Sequence, residues 1–396
     1  MIADFVLFGI GAAGNKAAVE VIESRVLPHE KVKLVNTTIR DVPDDYKNAE
    51  SIITIPSALG GCGKEPGRGK KAMFQSIKDK TIDLTKYVND LKRPVVVLVT
   101  STEGGTGCGA TPVMAKFFMA IGVPVHIFAF TGFQDEANGI NNTLQFFKNL
   151  PDDIILHTIE NKKFLDYTKN YSKAEDAANK EFVQQLDILT GSDLIPSSHN
   201  IDDMDHFKMV TSKGYMDIHR VSLTGCKNTD LVNKAIIASF ESMTCMEYPQ
   251  ARSKDMYLAV IINASEDTQK VIDDEFEVIQ RYIGIPYKIF RHIQWNVDDD
   301  YDEYMYIMAA GLPYPANGIL ELNKKYLDMV GGLDKGHSGF GNVFDDIELE
   351  EDEEDDIPSM KKNTDAILAG FTLDDEDEAP KTRKATTVKQ GNMKEY

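Results

Sequence analysis

Four cysteines in 396 residues are too few for a disulfide framework. Cys62, Cys108, Cys226 and Cys245 show no paired metal-ligand spacing, which favours a reducing cytosol. No apolar run approaches the roughly 20 residues that a membrane-spanning helix requires. The opening Met1-Ile2-Ala3-Asp4-Phe5 has no basic stretch ahead of its apolar residues and reads as a first strand rather than a signal peptide. The motif GxxxxGK[ST] is absent, so the chain is not a P-loop NTPase by motif. Positive charge is also in deficit, 43 bases against 63 acids for a net charge of −20. An acidic protein repels phosphates, which excludes direct sequence-specific reading of DNA as a first expectation.

What the chain does have is glycine in three clusters. Thr102-Glu103-Gly104-Gly105-Thr106-Gly107-Cys108-Gly109 follows the apolar strand Pro94 to Thr100 and opens a helical pattern. A structural turn needs one glycine or two. Here four in six positions let successive amides face one point, and such a nest at a helix N-terminus suits a polyanion, most simply a nucleotide phosphate. The second cluster, Gly9-Ile10-Gly11-Ala12-Ala13-Gly14-Asn15, joins the strand Phe5 to Phe8 to a helix. It matches the GxGxxG of dinucleotide-binding folds, but that reading wants an acid at the end of the second strand, where this chain has Asn36-Thr37-Thr38. The third, Gly60-Gly61-Cys62-Gly63-Lys64-Glu65-Pro66-Gly67-Arg68-Gly69-Lys70, suits a loop that closes over outer phosphates.

The order and spacing of these loops resemble the tubulin and FtsZ superfamily of polymerising GTPases. Gly11-Ala12-Ala13-Gly14-Asn15 resembles its first phosphate loop, Asn36-Thr37 its second, and Gly60 to Arg68 its third, with Gly61, Gly63 and Lys64 as contacts. Glu103 to Gly109 resembles the GGGTG[ST]G signature, so Gly104, Gly105, Thr106, Gly107, Cys108 and Gly109 are implied to hold phosphate. Glu103 stands where the family has its first glycine; a carboxylate there must point outward or help hold a magnesium ion.

The resemblance extends farther along the chain. Phe133-Gln134-Asp135-Glu136 is similar to the ribose-side loop, with Glu136 as the contact, and Asn161 ends the sixth strand where the family meets sugar or base. Asn179 falls at the base-reading asparagine, and its amide supplies the donor and acceptor a guanine edge requires. The family often has a stacking aromatic four residues earlier; this chain has Glu175, which leaves Tyr171 or nothing for that role. Asn200-Ile201-Asp202-Asp203-Met204-Asp205 resembles the NxDxxD loop, so Asn200, Asp202 and Asp205 are implied to reach a neighbouring subunit's nucleotide and position the attacking water. Taken alone, such an acidic group before a helix reads as capping and dipole stabilisation.

Within the superfamily the third and fourth loops look closest to the TubZ branch of plasmid and phage proteins. The resemblance covers residues 1 to about 330. It implies an α/β fold: a mostly parallel sheet in a GTPase domain over 1–173, a central helix over 174–196, a smaller α+β assembly domain over 197–330, and a disordered acidic tail over 331–396. It also implies GTP and GDP with Mg²⁺, head-to-tail filaments in the cytoplasm, and movement of plasmid or phage DNA through a DNA-binding adaptor.

The tail is legible by itself. Ten of the twelve positions 345–356 are acidic, a second acidic run covers Asp374 to Glu378, and the end is basic. Like charge at this density cannot bury enough surface to fold. Between the runs, Ala366 to Leu373 is an apolar island that reads as a docking motif or as a sticky patch. Three rivals stay open at this point: a division-ring filament protein, a nicotinamide-dependent oxidoreductase that explains only the first glycine loop, and a scaffold that binds nucleotide without hydrolysing it.

Overall fold

The computed structural model describes residues 3–333, apart from 41, 43–45, 48–49, 58–59, 192–193, 195–200, 244–245 and 296–301. Of the tail expected over 331–396, residues 331–333 are instead the end of the last helix; the rest with its apolar island, Cys245 and Asn200 lie outside the described residues. Ten strands form one sheet: β1 (Asp4–Ile10), β2 (Val32–Asn36), β3 (Ile52–Thr54), β4 (Pro94–Ser101), β5 (Val125–Phe130), β6 (Ile155–Ile159), β7 (Gly214–Ser222), β8 (Ala251–Asn263), β9 (Gly284–Gln294) and β10 (Tyr304–Leu312). Their order is β3-β2-β1-β4-β5-β6-β7-β10-β8-β9. The helices are α1 (Gly11–Glu23), α2 (Pro66–Lys78), α3 (Gly105–Ala120), α4 (Ala137–Asn149), α5 (Asn161–Thr168), α6 (Tyr171–Thr190), α7 (Asp203–Val210), α8 (Thr229–Met243), α9 (Glu266–Gln269), α10 (Glu275–Ile283) and α11 (Ala316–Leu333).

From β3 to β6 every pairing is parallel, and each strand is nearly continuous Val, Ile, Leu and Phe because both faces are covered. β6 meets β7 through two residue pairs, Ile155 with Gly214 and Leu156 with Tyr215. Beyond that narrow seam β7, β10 and β8 are antiparallel and β9 is parallel to β8. The mostly parallel α/β architecture expected from the sequence is present.

Strand β7 carries polar residues on a buried face. Asp217 and His219 point inward at 6% and 1% exposure, with His219 Nε2 3.0 Å from Asp217 Oδ2 and Tyr248 donating to the same carboxylate at 2.9 Å. A strand whose hidden face is polar lacks the apolar alternation that marks strands in sequence.

The main core lies under α1 and α6, where Ala17, Ala18, Phe182, Leu186 and Leu189 pack on Leu7, Val97, Val99 and Phe128. Phe182 meets Phe128 edge-on, with ring centroids 4.9 Å apart. The long helix expected over 174–196 runs from Tyr171 to Thr190. The Asn170 side chain accepts from the Lys173 amide at 3.0 Å to start it, and Gly191, at φ +66°, ends it in the left-handed conformation that glycine adopts without strain.

Helix α6 connects the two ends of the parallel strands. Its first residue, Tyr171, packs against Phe133 and donates to Asp135 at 3.2 Å, in the loop after β5. Twenty residues at about 1.5 Å each carry the chain roughly 30 Å. Helix α7 then lies at the amino ends: Arg93, just before β4, stands over the Phe207 ring at 5.5 Å, and His126 near the start of β5 bonds the Val210 carbonyl at 2.7 Å.

Candidate functional site

Helices α1, α3, α4 and α5 begin at the carboxyl end of the sheet with no side chain capping them, and the starts of α1 and α3 share one cavity. α1 starts at Gly11 after Ile10, and α3 starts at Gly105 after Gly104. By contrast α6 is capped by Asn170 and α7 by Asp202. Each uncapped start leaves about four amides without a helical partner and the positive end of a dipole exposed. The shared cavity has a volume of about 520 Å³.

Glycine is required here by close approach. A Cβ on Gly107 would run into Thr100 Oγ1 and lie 3.0 Å from the Ile10 carbonyl oxygen, while one on Gly14 would strike the Val99 carbonyl. The start of α3 therefore presses directly on the β1 turn, and α1 on β4. Gly105 is 2.7 Å from Cys62 Cβ by the same construction, which brings the third loop onto α3. Gly104 meets nothing within 4 Å and faces open space.

The cavity gathers most of the expected phosphate residues. Gly11, Ala12 and Ala13 line one side, Asn36 and Thr37 a second, Gly61, Gly63 and Lys64 a third, and Gly104, Gly105, Thr106 and Gly107 the floor. Thr37 and Thr106 bring their hydroxyls within 3.2 Å across it. Asn36 Oδ1 accepts from the Thr37 amide at 2.8 Å, while its buried Nδ2 has no partner within the protein. That donor is left for something in the cavity.

Other expected residues stand apart from the lining. Gly14 and Gly109 are packing contacts, the latter lying where a Cβ would collide with the Pro66 carbonyl. Cys108 is buried, its thiol donates to the Asn142 carbonyl at 3.2 Å, and burial pushes its pKa up to about 12, so it serves the helix interior and is no nucleophile. Asn15 is fully buried with both side-chain polar atoms unpartnered, and Asn161 Oδ1 is likewise buried and unpartnered. Such orphaned atoms suit a ligand that brings its own polar edge. Asn179 is half-buried on α6, outside the cavity.

Glu136 is engaged with the third loop. Its carboxylate takes the Lys64 ammonium at 2.5 Å, and this hydrogen bond holds Lys64 above the usual lysine range. Glu103 is not part of the cavity lining. Its carboxylate turns away to accept the Gln134 amide at 3.0 Å, packed where a Cβ of Gly132 would be and 3.1 Å from the Cβ position of Gly139. Those two glycines make room for the residue that departs from the family signature. Burial pushes the Glu103 carboxyl up, against the opposing pull of the Gln134 amide.

Sequence reasoning missed Arg40 and Asn142. Arg40 lines the cavity beside Thr38. Asn142 on α4 is 3% exposed and donates its amide to the Lys64 carbonyl at 2.9 Å and to the Glu103 carbonyl at 3.0 Å, bracing two loops at once. Neither residue belongs to a pattern of spacing, and only the fold brings Arg40 to the cavity and Asn142 to the two loops beside it.

Asp202 and Asp205 lie elsewhere. Asp202 accepts from the Asp205 amide at 2.7 Å as the N-cap of α7, and Asp205 is 4.0 Å from Lys208. Since α7 sits at the amino ends of the strands, the eight residues of β4 alone separate these acids from the cavity by about 25 Å. One subunit cannot bring both to one ligand.

As a chemical environment, the cavity offers two uncapped helix starts, an unpaired amide donor and two cations, Arg40 and Lys64, with no carboxylate among the described residues of its lining. It fits a polyanion. Among the described residues no group of three or more His, Cys, Asp and Glu side chains is arranged to hold a metal ion, and no helix is long and apolar enough to cross a membrane.

No protein-family model matches the chain. It is 28% identical over 221 residues to the cell division protein FtsZ of Mycoplasmopsis pulmonis, a match covering 54% of this chain and 54% of the relative. The chain thus spans about half the length of that curated relative. Among solved structures, TubZ from Clostridium botulinum phage c-st superposes with a TM-score of 0.63 at 17% identity, covering 84% of this chain and 99% of that one. A GTPγS-form protofilament of TubZ from Bacillus thuringiensis serovar israelensis gives 0.64 at 13% identity, covering 84% and 94%. With the sheet order and the glycine cradle, these likenesses give the chain a tubulin/FtsZ-like fold, similar to that of the TubZ structures.

Proposed function

We propose that this protein binds and hydrolyses GTP and assembles head to tail, Asp202 and Asp205 of one subunit completing the site on the next. The observation that carries the reading is the axial separation of the cradle from the acids. A cavity at the carboxyl ends of the strands and an acidic helix start at the amino ends become one site only when subunits stack along the strand direction. Such a heterologous contact propagates into a filament. The TubZ protofilament in a GTPγS form, among the similar structures, supports it by analogy.

In this reading the amides of α1 and α3, with the Asn36 amide and the cations, neutralise the phosphates. Glu136 serves the ribose, Asn161 the sugar or base and Asn179 the base, while Asn15 belongs to the first phosphate loop. No acid is among the described lining residues, so Mg²⁺ brought in with the nucleotide would supply further charge neutralisation without a carboxylate of the lining to hold it. Asn200, Asp202 and Asp205 orient the attacking water from the neighbouring subunit, so positioning and electrostatics carry most of the rate.

The cellular role follows as the second part of the proposal: cytoplasmic filaments that position plasmid or phage DNA through a DNA-binding adaptor held by the tail beyond α11. The division-filament reading shares the same site and is favoured by the name of the curated relative. Affinity capture with the isolated tail separates the two, a DNA-bound adaptor supporting the first and a membrane tether the second. For the site itself, GTP turnover per subunit is the test. It should rise cooperatively with protein concentration, and a rate independent of concentration contradicts the proposal.

A further inference from the structure

Among the described residues two cations line the cavity, and they differ in what holds them. Lys64 is pinned at both ends, its ammonium on Glu136 and its carbonyl on the Asn142 amide. Arg40 is exposed, and among the described residues its guanidinium has no carboxylate partner. Its main-chain amide donates to Thr38 Oγ1 at 3.2 Å, a local turn at the cavity mouth. A guanidinium is always charged and presents a planar fork that matches two phosphate oxygens.

Sheet order says which phosphate Arg40 would meet. The loops at the carboxyl end follow the strands in the sequence β2, β1, β4, β5, β6, carrying Arg40, the first glycine turn, the start of α3, the Glu136 loop and Asn161 respectively. The asparagines assigned to the base lie at the β6 end and on α6. Arg40 lies four strand spacings away, about 19 Å. A nucleotide with its base near β6 and its first phosphates on the two helix starts therefore directs its terminal phosphate toward β2.

We infer that Arg40 is a specificity-determining residue that reads the terminal phosphate and makes the cavity prefer a nucleoside triphosphate over a diphosphate. This rests on the proposed nucleotide site and adds to it a residue from outside the glycine loops. Lys64, already held by Glu136, supplies charge to both nucleotides alike. Among the described residues Arg40 has no competing partner, so its contact depends on the phosphate that hydrolysis removes.

The test is the affinity of the full-length protein for GTP and for GDP, measured below the assembly concentration, in the wild type, Arg40→Ala and Arg40→Lys. Arg40→Ala should weaken GTP by about 10- to 100-fold, the range of a lost charge-assisted bond, and leave GDP within about twofold. Arg40→Lys should recover part of the GTP affinity, because it restores charge without the fork. An equal loss for both nucleotides, or no loss for either, overturns the assignment while leaving the site standing. Wild-type protein that binds neither nucleotide overturns the site reading, and the assignment with it. Since Arg40 is exposed, unchanged melting temperatures of the ligand-free variants separate these outcomes from misfolding.

Discussion

The Asn142 side-chain amide, 3% exposed, donates to the Lys64 carbonyl at 2.9 Å, while Lys64 itself stands at φ +61° in the left-handed region. A non-glycine residue in that region is strained and persists only where its surroundings hold it. Asn142 also donates to the Glu103 carbonyl, so one buried amide fastens the third loop to the start of α3. Asn142→Ala leaves two carbonyls without their donor and should cost about 1–3 kcal/mol of stability. Denaturant unfolding checks it, and saturating GTP should recover less of the loss than in the wild type, because the cradle is loosened. Wild-type stability in the variant would contradict the bracing role.

Gly104 and Gly109 belong to the same segment but should respond in opposite ways. Gly109→Ala forces a Cβ against the Pro66 carbonyl and Lys70 amide, separating α2 from α3 at about 1–3 kcal/mol. Gly104 lines the cavity, and a Cβ added there meets no protein atom within 4 Å, so Gly104→Val adds bulk at the cavity rather than in the core. It should keep the melting temperature and lose nucleotide affinity. Paired thermal unfolding and GTP titration of the two variants reads both effects.

Asp202 has two roles that a single alanine confounds. As the cap of α7 it contributes about 1 kcal/mol, and asparagine caps as well as aspartate does. Asp202→Asn should therefore fold with wild-type stability and bind GTP normally, yet hydrolyse it slowly and form longer-lived filaments. Asp202→Ala should add a loss of stability to the same defect, and Asp205→Ala should show the catalytic defect without the capping loss. Normal turnover in Asp202→Asn would remove it from the active site.

Glu160 closes β6 beside Asn161, and burial pushes its carboxyl up to about 7, with Lys163 pulling the other way. A carboxyl raised in the folded state keeps its proton between about pH 4.5 and 7, where the unfolded chain has lost it. Its contribution to stability therefore falls as pH rises through that window, by about 3 kcal/mol at most, and is level above it. Glu160→Gln should match the wild type near pH 4 and exceed it at pH 8. Parallel pH curves for the two proteins would contradict the burial argument.

The glycine loops were legible because close backbone approach leaves glycine as the workable residue, and Gly11, Gly105 and Gly107 stand at such contacts. The parallel half of the sheet was legible for a related reason: strands buried on both faces are written in continuous apolar runs. Glu103 was harder. Whether it faces phosphate or turns away depends on Gly132 and Gly139, some thirty residues on, which carry no mark of that duty in the sequence. Arg40 and Asn142 were hidden because a single arginine after a polar loop, or a single asparagine in a helix, follows no period. The capping reading of Asp202 is realised within one subunit, and its catalytic reading depends on a second subunit, which the geometry of one chain leaves as a proposal.

The central claim is that cradle and acids act only across a subunit contact, and mixing two inactive variants measures it most directly. Asp202→Asn, Asp205→Asn protein retains its cradle, and Gly104→Val protein retains its acids. Each alone should hydrolyse GTP slowly. Mixed, they should recover turnover at contacts that join the cradle of the first to the acids of the second, with a maximum near equal amounts. A mixture no faster than the sum of its parts, from variants shown to be folded and to associate, would contradict a site shared between subunits.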